Sequence, residues 1–169
     1  MKRATAALFA LVLLPTTALA DAPPAHAAPA IAAPAVAADK ATCVFKIIHA
    51  SQGPTASMDP AINMLREDLK RPPFTAWNTF KVLARTPADL AEGATASFTT
   101  PDGHTALLTS SGHLQQKDRH AIKAILDLRG GTSAARTAFT LDEGGHFVVA
   151  GHKHQGGILI YAITCKTHG

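Results

Sequence analysis

The sequence predicts an α+β fold, a mostly antiparallel β-sandwich or bent β-sheet with one packed helix near the start of the domain. Apolar and polar residues alternate with a period of two, most clearly over 120–129, as in strands with one solvated face. Paired glycines at 130–131, 144–145 and 156–157 separate such segments, which is typical of hairpin turns. A single segment with helical spacing supplies the helix. We expect roughly six to eight strands in one domain.

The helix is predicted from Pro60 to Lys70. Asp59 is a good N-cap residue, and proline suits the first helical position. The apolar residues recur with helical spacing at Ile62, Leu65 and Leu69. Two prolines end the helix at 72–73, because a residue before proline is disfavoured in helical geometry. A first strand precedes the helix at 44–48.

The strands that follow are predicted from alternation and turn residues. A strand is expected over 79–85, and Thr86–Gly93 is expected to form one capped helical turn. The later strands are predicted at 94–99, 106–108, 120–129, 136–141, 146–150 and 158–164, the last four as a meander. The last strand is apolar on both faces, so it should lie centrally, next to the first strand.

The chain is predicted to have three parts. Residues 1–20 resemble an export signal, because Lys2 and Arg3 precede an apolar run that ends in the small-residue site Ala18–Ala20. Residues 21–40 are rich in alanine and proline and are expected to form an extended linker. Residues 41–169 are expected to form one disulfide-linked, β-rich domain. This organisation predicts a periplasmic or secreted protein without a transmembrane segment after cleavage of the signal.

The two cysteines, Cys43 and Cys165, lie near the two ends of the predicted domain. Export would place them where disulfides persist, so we expect them to pair. A reactive or metal-binding pair is the alternative, but such cysteines are normally close in sequence. Lysine and arginine are scattered among the acidic residues, so we expect no nucleic-acid partner.

Two passages resemble a group of small exported β-rich proteins from Gram-negative bacteria. They are Pro73–Phe80 (PFTAWNTF) and the glycine-punctuated ending from Gly144 to Ile163. The resemblance covers most of the segment from Cys43 to Cys165. It implies the same organisation and, because that group has no assigned activity, no mechanism.

Histidine carries the most specific chemical signal. His152 and His154 are two residues apart in a polar segment, and such a spacing in an extended chain places both side chains on one side. Imidazole binds zinc and copper well. A metal site would need a third ligand, for which the candidates are His104, His113, His120 and His146. The alternative interpretation is that these histidines are solvated loop residues.

Catalytic and recognition signals are weaker. The common hydrolase and phosphate-binding motifs are absent from the sequence, and a dispersed set of Ser110 or Ser111 with His113 and Asp118 rests on residue type alone. Phe74, Trp77 and Phe80 are predicted to fill the core, with a recognition patch as the alternative.

The function that these observations favour is a non-enzymatic, exported envelope protein that binds an unidentified protein or ligand and needs no cofactor. The first alternative is a periplasmic copper- or zinc-binding protein that uses His152, His154 and His146. The second is an enzyme with a dispersed site.

Overall fold

The computed structural model describes residues 40–116, 119–130 and 135–168. The predicted signal peptide lies outside the described residues, as does the predicted linker except for Lys40. Asp118 of the dispersed catalytic set also lies outside them.

Nine strands occur in the described part of the chain. They are β1 (Lys40–Ser51), β2 (Ser57–Met58), β3 (Thr79–Ala91), β4 (Thr95–Thr99), β5 (Thr105–Gln116), β6 (Arg119–Arg129), β7 (Ala135–Asp142), β8 (His146–His154) and β9 (Gly157–His168). One sheet has the order β2-β3-β1-β9-β8, and the other has the order β4-β5-β6-β7. All pairings are antiparallel except the short one between β2 and β3. The fold is therefore mostly β, with two antiparallel-rich sheets packed together and one short helix.

The predicted helix from Pro60 to Lys70 is shorter in the structure. A 3₁₀ helix covers Pro60–Leu65, and only α1 (Arg66–Leu69) is α-helical. The Asp59 side chain accepts a hydrogen bond from the Ala61 amide at 2.9 Å, as expected of an N-cap. The backbone of Ile62 departs from helical geometry, at φ −124° and ψ 17°, and this departure interrupts the helix. The three apolar residues with helical spacing are nevertheless buried against the first sheet.

The helical turn predicted at Thr86–Gly93 is wrong, because β3 continues through Thr86 and Pro87 to Ala91. Pro87 lies opposite Val44 of β1, well beyond the two residues of β3 that pair with β2. That side of β3 is an open sheet edge within the described residues. A residue without an N–H group costs no ladder hydrogen bond on such an edge, so the strand tolerates proline there.

The predicted meander is also interrupted. β6 pairs with β7, and β8 pairs with β9, but β7 and β8 belong to different sheets. The turn at Gly144, where φ is +75°, carries the chain from one sheet to the other. Phe139 and Phe147 stack across this crossing, with ring centroids 4.0 Å apart. Turn glycines mark where the chain reverses, but they do not specify which sheet the next strand joins.

Two apolar clusters cover the two faces of the first sheet. The cluster between the sheets includes alternate residues of β9, Leu159, Tyr161 and Ile163, whereas Ile160 and Ala162 belong to the outer cluster. The central position predicted for the last strand, beside β1, is confirmed. The burial of both of its faces explains why its sequence shows no alternation.

The disulfide and the aromatic residues lie in these clusters. Cys43 and Cys165 are directly opposite in β1 and β9, and their sulfur atoms are at the bonding distance of 2.06 Å. Phe74 and Phe80 are each only 6% exposed within the outer cluster, and Trp77 packs against it while half-buried. Of the three aromatics, Trp77 therefore presents the most surface to solvent.

Candidate metal centre

The candidate site begins at the tight turn between β4 and β5. Gly103, with φ +81°, donates its amide hydrogen to the carbonyl oxygen of Thr100 at 2.9 Å. The Thr100 amide donates to the carbonyl of His104 at 2.9 Å and closes the turn. Asp102 lies at its tip, and its Oδ1 accepts hydrogen bonds from the Thr100 hydroxyl and the His104 amide. The sequence Pro-Asp-Gly-His thus folds so that Asp102 is held by its own neighbours.

Three potential ligand atoms converge at this turn. Asp102 Oδ2 is 2.9 Å from His104 Nδ1 and 3.5 Å from Nδ1 of His152, which comes from the other sheet. The two imidazole rings lie 4.6 Å apart by centroid. All three ligand atoms lie within 4.8 Å of one another. The side chains of Asp102, His104 and His152 are 9%, 29% and 14% exposed, so the cluster is mostly shielded from solvent.

An irregularity in β8 accompanies His152. The pairing of β8 with β9 shifts register between Ala150 and Lys153, which is the signature of a β-bulge. Gly151 lies in this bulge against Tyr161, and a Cβ atom on Gly151 would come within 2.2 Å of the tyrosine ring. A bulge redirects side chains relative to a regular strand, and here it lies beside the second sheet.

Gly130 lies against the ring of His104, as Gly151 lies against the ring of Tyr161. A Cβ atom on this glycine would lie 2.2 Å from Cδ2 of His104, and its φ of +115° also disfavours a side chain. Both glycines therefore leave room for a ring, one for a histidine of the cluster and one for the tyrosine beside it.

The charge state of Asp102 is set by opposing effects. Burial acts to raise the pKa of Asp102, but hydrogen bonds from Thr100 and His104 outweigh burial and hold this pKa below its usual value of 3.8. The carboxylate is therefore ionised at neutral pH.

Tyr161 lies near this charge. Burial, reinforced by the negative charge of Asp102, raises the pKa of Tyr161 to about 12, while the nearby Thr100 hydroxyl, a potential hydrogen-bond partner, acts to lower this pKa. Its hydroxyl is buried and has no hydrogen-bond partner of acceptable geometry among the described residues.

The cluster fits a transition-metal ion. Two imidazole nitrogens and one carboxylate oxygen are ligands for zinc and copper. A tetrahedral zinc site with bonds of about 2.0–2.1 Å separates neighbouring ligand atoms by about 3.3 Å. The two oxygen-to-nitrogen distances of 2.9 and 3.5 Å bracket that separation. Three protein ligands leave one coordination position for a further ligand.

The structure separates the histidines proposed from the sequence. Of the predicted set His152, His154 and His146, His152 alone belongs to the cluster found within the described residues. A ring nitrogen of His49 lies 3.0 Å from the backbone oxygen of His154, and the two rings meet edge to face. Nε2 of His146 lies 2.7 Å from a carboxylate oxygen of Asp68 in α1. Asp102, which was not a predicted ligand, and His104, one of the predicted third-ligand candidates, complete the set. Asp102 and His104 are two residues apart, as His152 and His154 are. This spacing was the sequence signal that could have identified them as candidate ligands.

The dispersed catalytic set gains no support from geometry. The Ser110 hydroxyl and both ring nitrogens of His113 are buried without a hydrogen-bond partner in the described part of the chain. A serine nucleophile is activated by a hydrogen bond to its base, and that bond is missing here.

Comparisons with protein-family models, with curated protein sequences and with solved structures found no match to this chain. Within 40–116, 119–130 and 135–168, no helix has the length and apolar character needed to cross a membrane.

Proposed function

We propose that this protein is a non-enzymatic metal-binding protein that holds one zinc or copper ion through Asp102, His104 and His152. The observation that supports the proposal is the convergence of one carboxylate and two imidazoles, with their ligand atoms within 4.8 Å, from distant parts of the sequence. Asp102 supplies a negative charge beside two neutral ligands, which favours a divalent cation.

Binding would connect the two sheets. Asp102 and His104 lie in the β4–β5 turn of one sheet, and His152 comes from β8 of the other. An ion held by all three would oppose separation of the sheets and stabilise the folded state. At a ligand concentration 100 times Kd, the added stability is about 2.7 kcal/mol. Because one coordination position is left open, the ion could be exchanged with a partner.

We extend the proposal to the setting of the protein. The signal-like residues 1–20 and the paired cysteines support export to the periplasm or beyond. The Ala/Pro-rich residues 21–40 would then space the metal-binding domain, which we interpret as a β-sandwich, from its partner or surface.

Calorimetric titration of the full chain with Zn²⁺ and with Cu²⁺ at neutral pH tests the proposal. We expect one site per chain with a submicromolar Kd for at least one of the two ions. His152→Ala and Asp102→Ala should each weaken binding by at least about 100-fold, because each removes a ligand. His154→Ala is the matched control and should leave Kd unchanged within about threefold. The proposal fails if the wild type shows no saturable binding, or if the His152 and His154 variants behave alike.

A second candidate function is the binding of a protein or organic ligand beside Trp77. A depression of about 410 Å³ lies between this indole and the β8–β9 turn, where Lys153 and His154 contribute to its wall. Aromatic and cationic side chains are common in recognition sites. Trp77 is the only tryptophan of the chain, so its fluorescence reports occupancy directly. A ligand of this depression should shift that emission in the wild type and lose affinity in Lys153→Ala.

A further inference from the structure

Tyr161 carries a buried hydroxyl that no described residue pairs with in a well-formed hydrogen bond. The residue is 0% exposed, and its ring stacks with Phe45 at a centroid distance of 5.7 Å. Its oxygen atom has no hydrogen-bond partner of acceptable geometry among the described residues. An unpaired buried hydroxyl destabilises the folded state, and a phenylalanine in the same place would avoid that penalty.

This hydroxyl lies close to the candidate metal site. The ring of Tyr161 packs against Gly151, which directly precedes the ligand His152 in the bulge of β8. Asp102 is the charged residue that acts on the tyrosine. The unsatisfied hydroxyl therefore lies beside a cluster whose three ligands leave one coordination position open.

We propose that Tyr161 donates a hydrogen bond to a small exogenous ligand on the bound metal ion, such as water or a monodentate inorganic anion. The inference rests on the proposed metal site and specifies what completes it. A phenol is a hydrogen-bond donor, and donation to an anion is stronger than donation to a neutral group. Because the ligand side chains are 9–29% exposed, the open position admits a small ion more readily than an organic substrate.

Cobalt substitution provides a direct test. Co²⁺ accepts the same nitrogen and oxygen ligands as zinc, and its visible absorption responds to a change of ligand. The full chain is loaded with Co²⁺, and azide is then added as the probe anion. We expect saturable spectral changes in the wild type. In Tyr161→Phe, azide affinity should fall by about tenfold or more, while Co²⁺ affinity changes by less than about threefold.

Two controls separate this role from a structural one. Thr109→Val removes an exposed hydroxyl of β5, which hydrogen-bonds Thr95, and should leave azide affinity unchanged. The metal-free Tyr161→Phe protein should be at least as stable to heat as the wild type, because the substitution removes an unsatisfied polar group. If the hydroxyl instead stabilised the fold, Tyr161→Phe would lower the melting temperature of the metal-free protein.

The outcomes distinguish this inference from the proposed function. If Co²⁺ binds but azide causes no saturable change, or if Tyr161→Phe binds azide as the wild type does, the role of Tyr161 is refuted and the metal site stands. If the wild-type chain binds no Co²⁺, Zn²⁺ or Cu²⁺, both proposals are refuted together.

Discussion

The two ends of the first sheet are built differently. At one end, Cys43 and Cys165 lie opposite each other in regular register, buried among apolar residues. At the other end, β8 contains a bulge, and His152 lies against polar residues of the second sheet. Regular pairing and a covalent link favour stability, whereas a bulge and a tight turn direct polar side chains to one point. The disulfide and the polar cluster therefore lie toward opposite ends of the same sheet.

Removal of the disulfide should have the largest effect on stability. The bond joins residues 122 positions apart, and cross-linking so long a segment restricts the unfolded chain by about 4–5 kcal/mol in the chain-entropy model. Cys43→Ala with Cys165→Ala should lose roughly that free energy of unfolding, measured by urea denaturation. Metal affinity of the folded variant should stay unchanged, because the site is at the other end. A loss of metal affinity without unfolding would contradict the separation of the two ends.

A matched pair of glycines tests the packing of the site end. Gly130 and Gly144 both have positive φ, but a Cβ atom would strike the His104 ring only at Gly130 and would meet nothing within 4 Å at Gly144. Gly130→Ala should cost roughly 2–4 kcal/mol through strain and overpacking, and Gly144→Ala about 1 kcal/mol through strain alone.

Metal titration of the same two variants gives the decisive readout. Gly130→Ala should weaken zinc or copper binding by displacing His104, and Gly144→Ala should not. Equal metal affinities in the two variants would show that Gly130 is needed only for its backbone conformation and does not position His104.

The acid dependence of stability should distinguish Asp102 from an exposed aspartate. Because the pKa of Asp102 is lowered on folding, its ionised form stabilises the native state above the unfolded value of 3.8, and this contribution is lost as pH falls below about 4 toward the folded pKa. Asp102→Asn should reduce the stability of the metal-free protein at neutral pH by about 2 kcal/mol, given its charged hydrogen bonds.

Asp142→Asn is the control for this prediction. The pKa of Asp142 is also lowered, chiefly by its hydrogen bond with Arg119, but the pair is exposed to solvent. Surface pairs contribute little to stability. Urea unfolding at a series of pH values should therefore show a smaller change for Asp142→Asn. If Asp142→Asn lost more free energy of unfolding than Asp102→Asn, the prediction that Asp102 contributes more to stability would be wrong.

The smallest effect is expected at His146. Its contact with the Asp68 carboxylate is about one-third exposed on each side, so His146→Ala should cost less than about 1 kcal/mol. Its metal affinity should equal that of the wild type, since His146 lies outside the cluster. Titration of His146→Ala beside His152→Ala checks this, and a comparable loss in both would return His146 to the ligand set.

Local sequence patterns predicted much of the fold. The alternation over 120–129 corresponds to β6, in which the alternating residues Ile122, Ala124, Leu126 and Leu128 are buried, and the apolar ending corresponds to the central strand β9. The position of the cysteines predicted that β1 and β9 are neighbours. Such features are visible in the sequence because burial of one or both faces of a strand directly constrains its residue types. The helix was overestimated because Asp59 and Pro60 specify where a helix begins but not how far its geometry persists.

The sequence by itself determined the β-rich class, the pairing of the cysteines and the presence of chemically suited histidines. Only the tertiary structure decided which of them come together: it placed His152 against Asp102 and His104, and it paired His146 with Asp68. The reason is physical. Residue type and local spacing determine which face of a strand a side chain occupies, but ligands separated by about fifty residues meet only through strand order and register. A bulge of one residue at Gly151 changes that register, and no local periodicity records it.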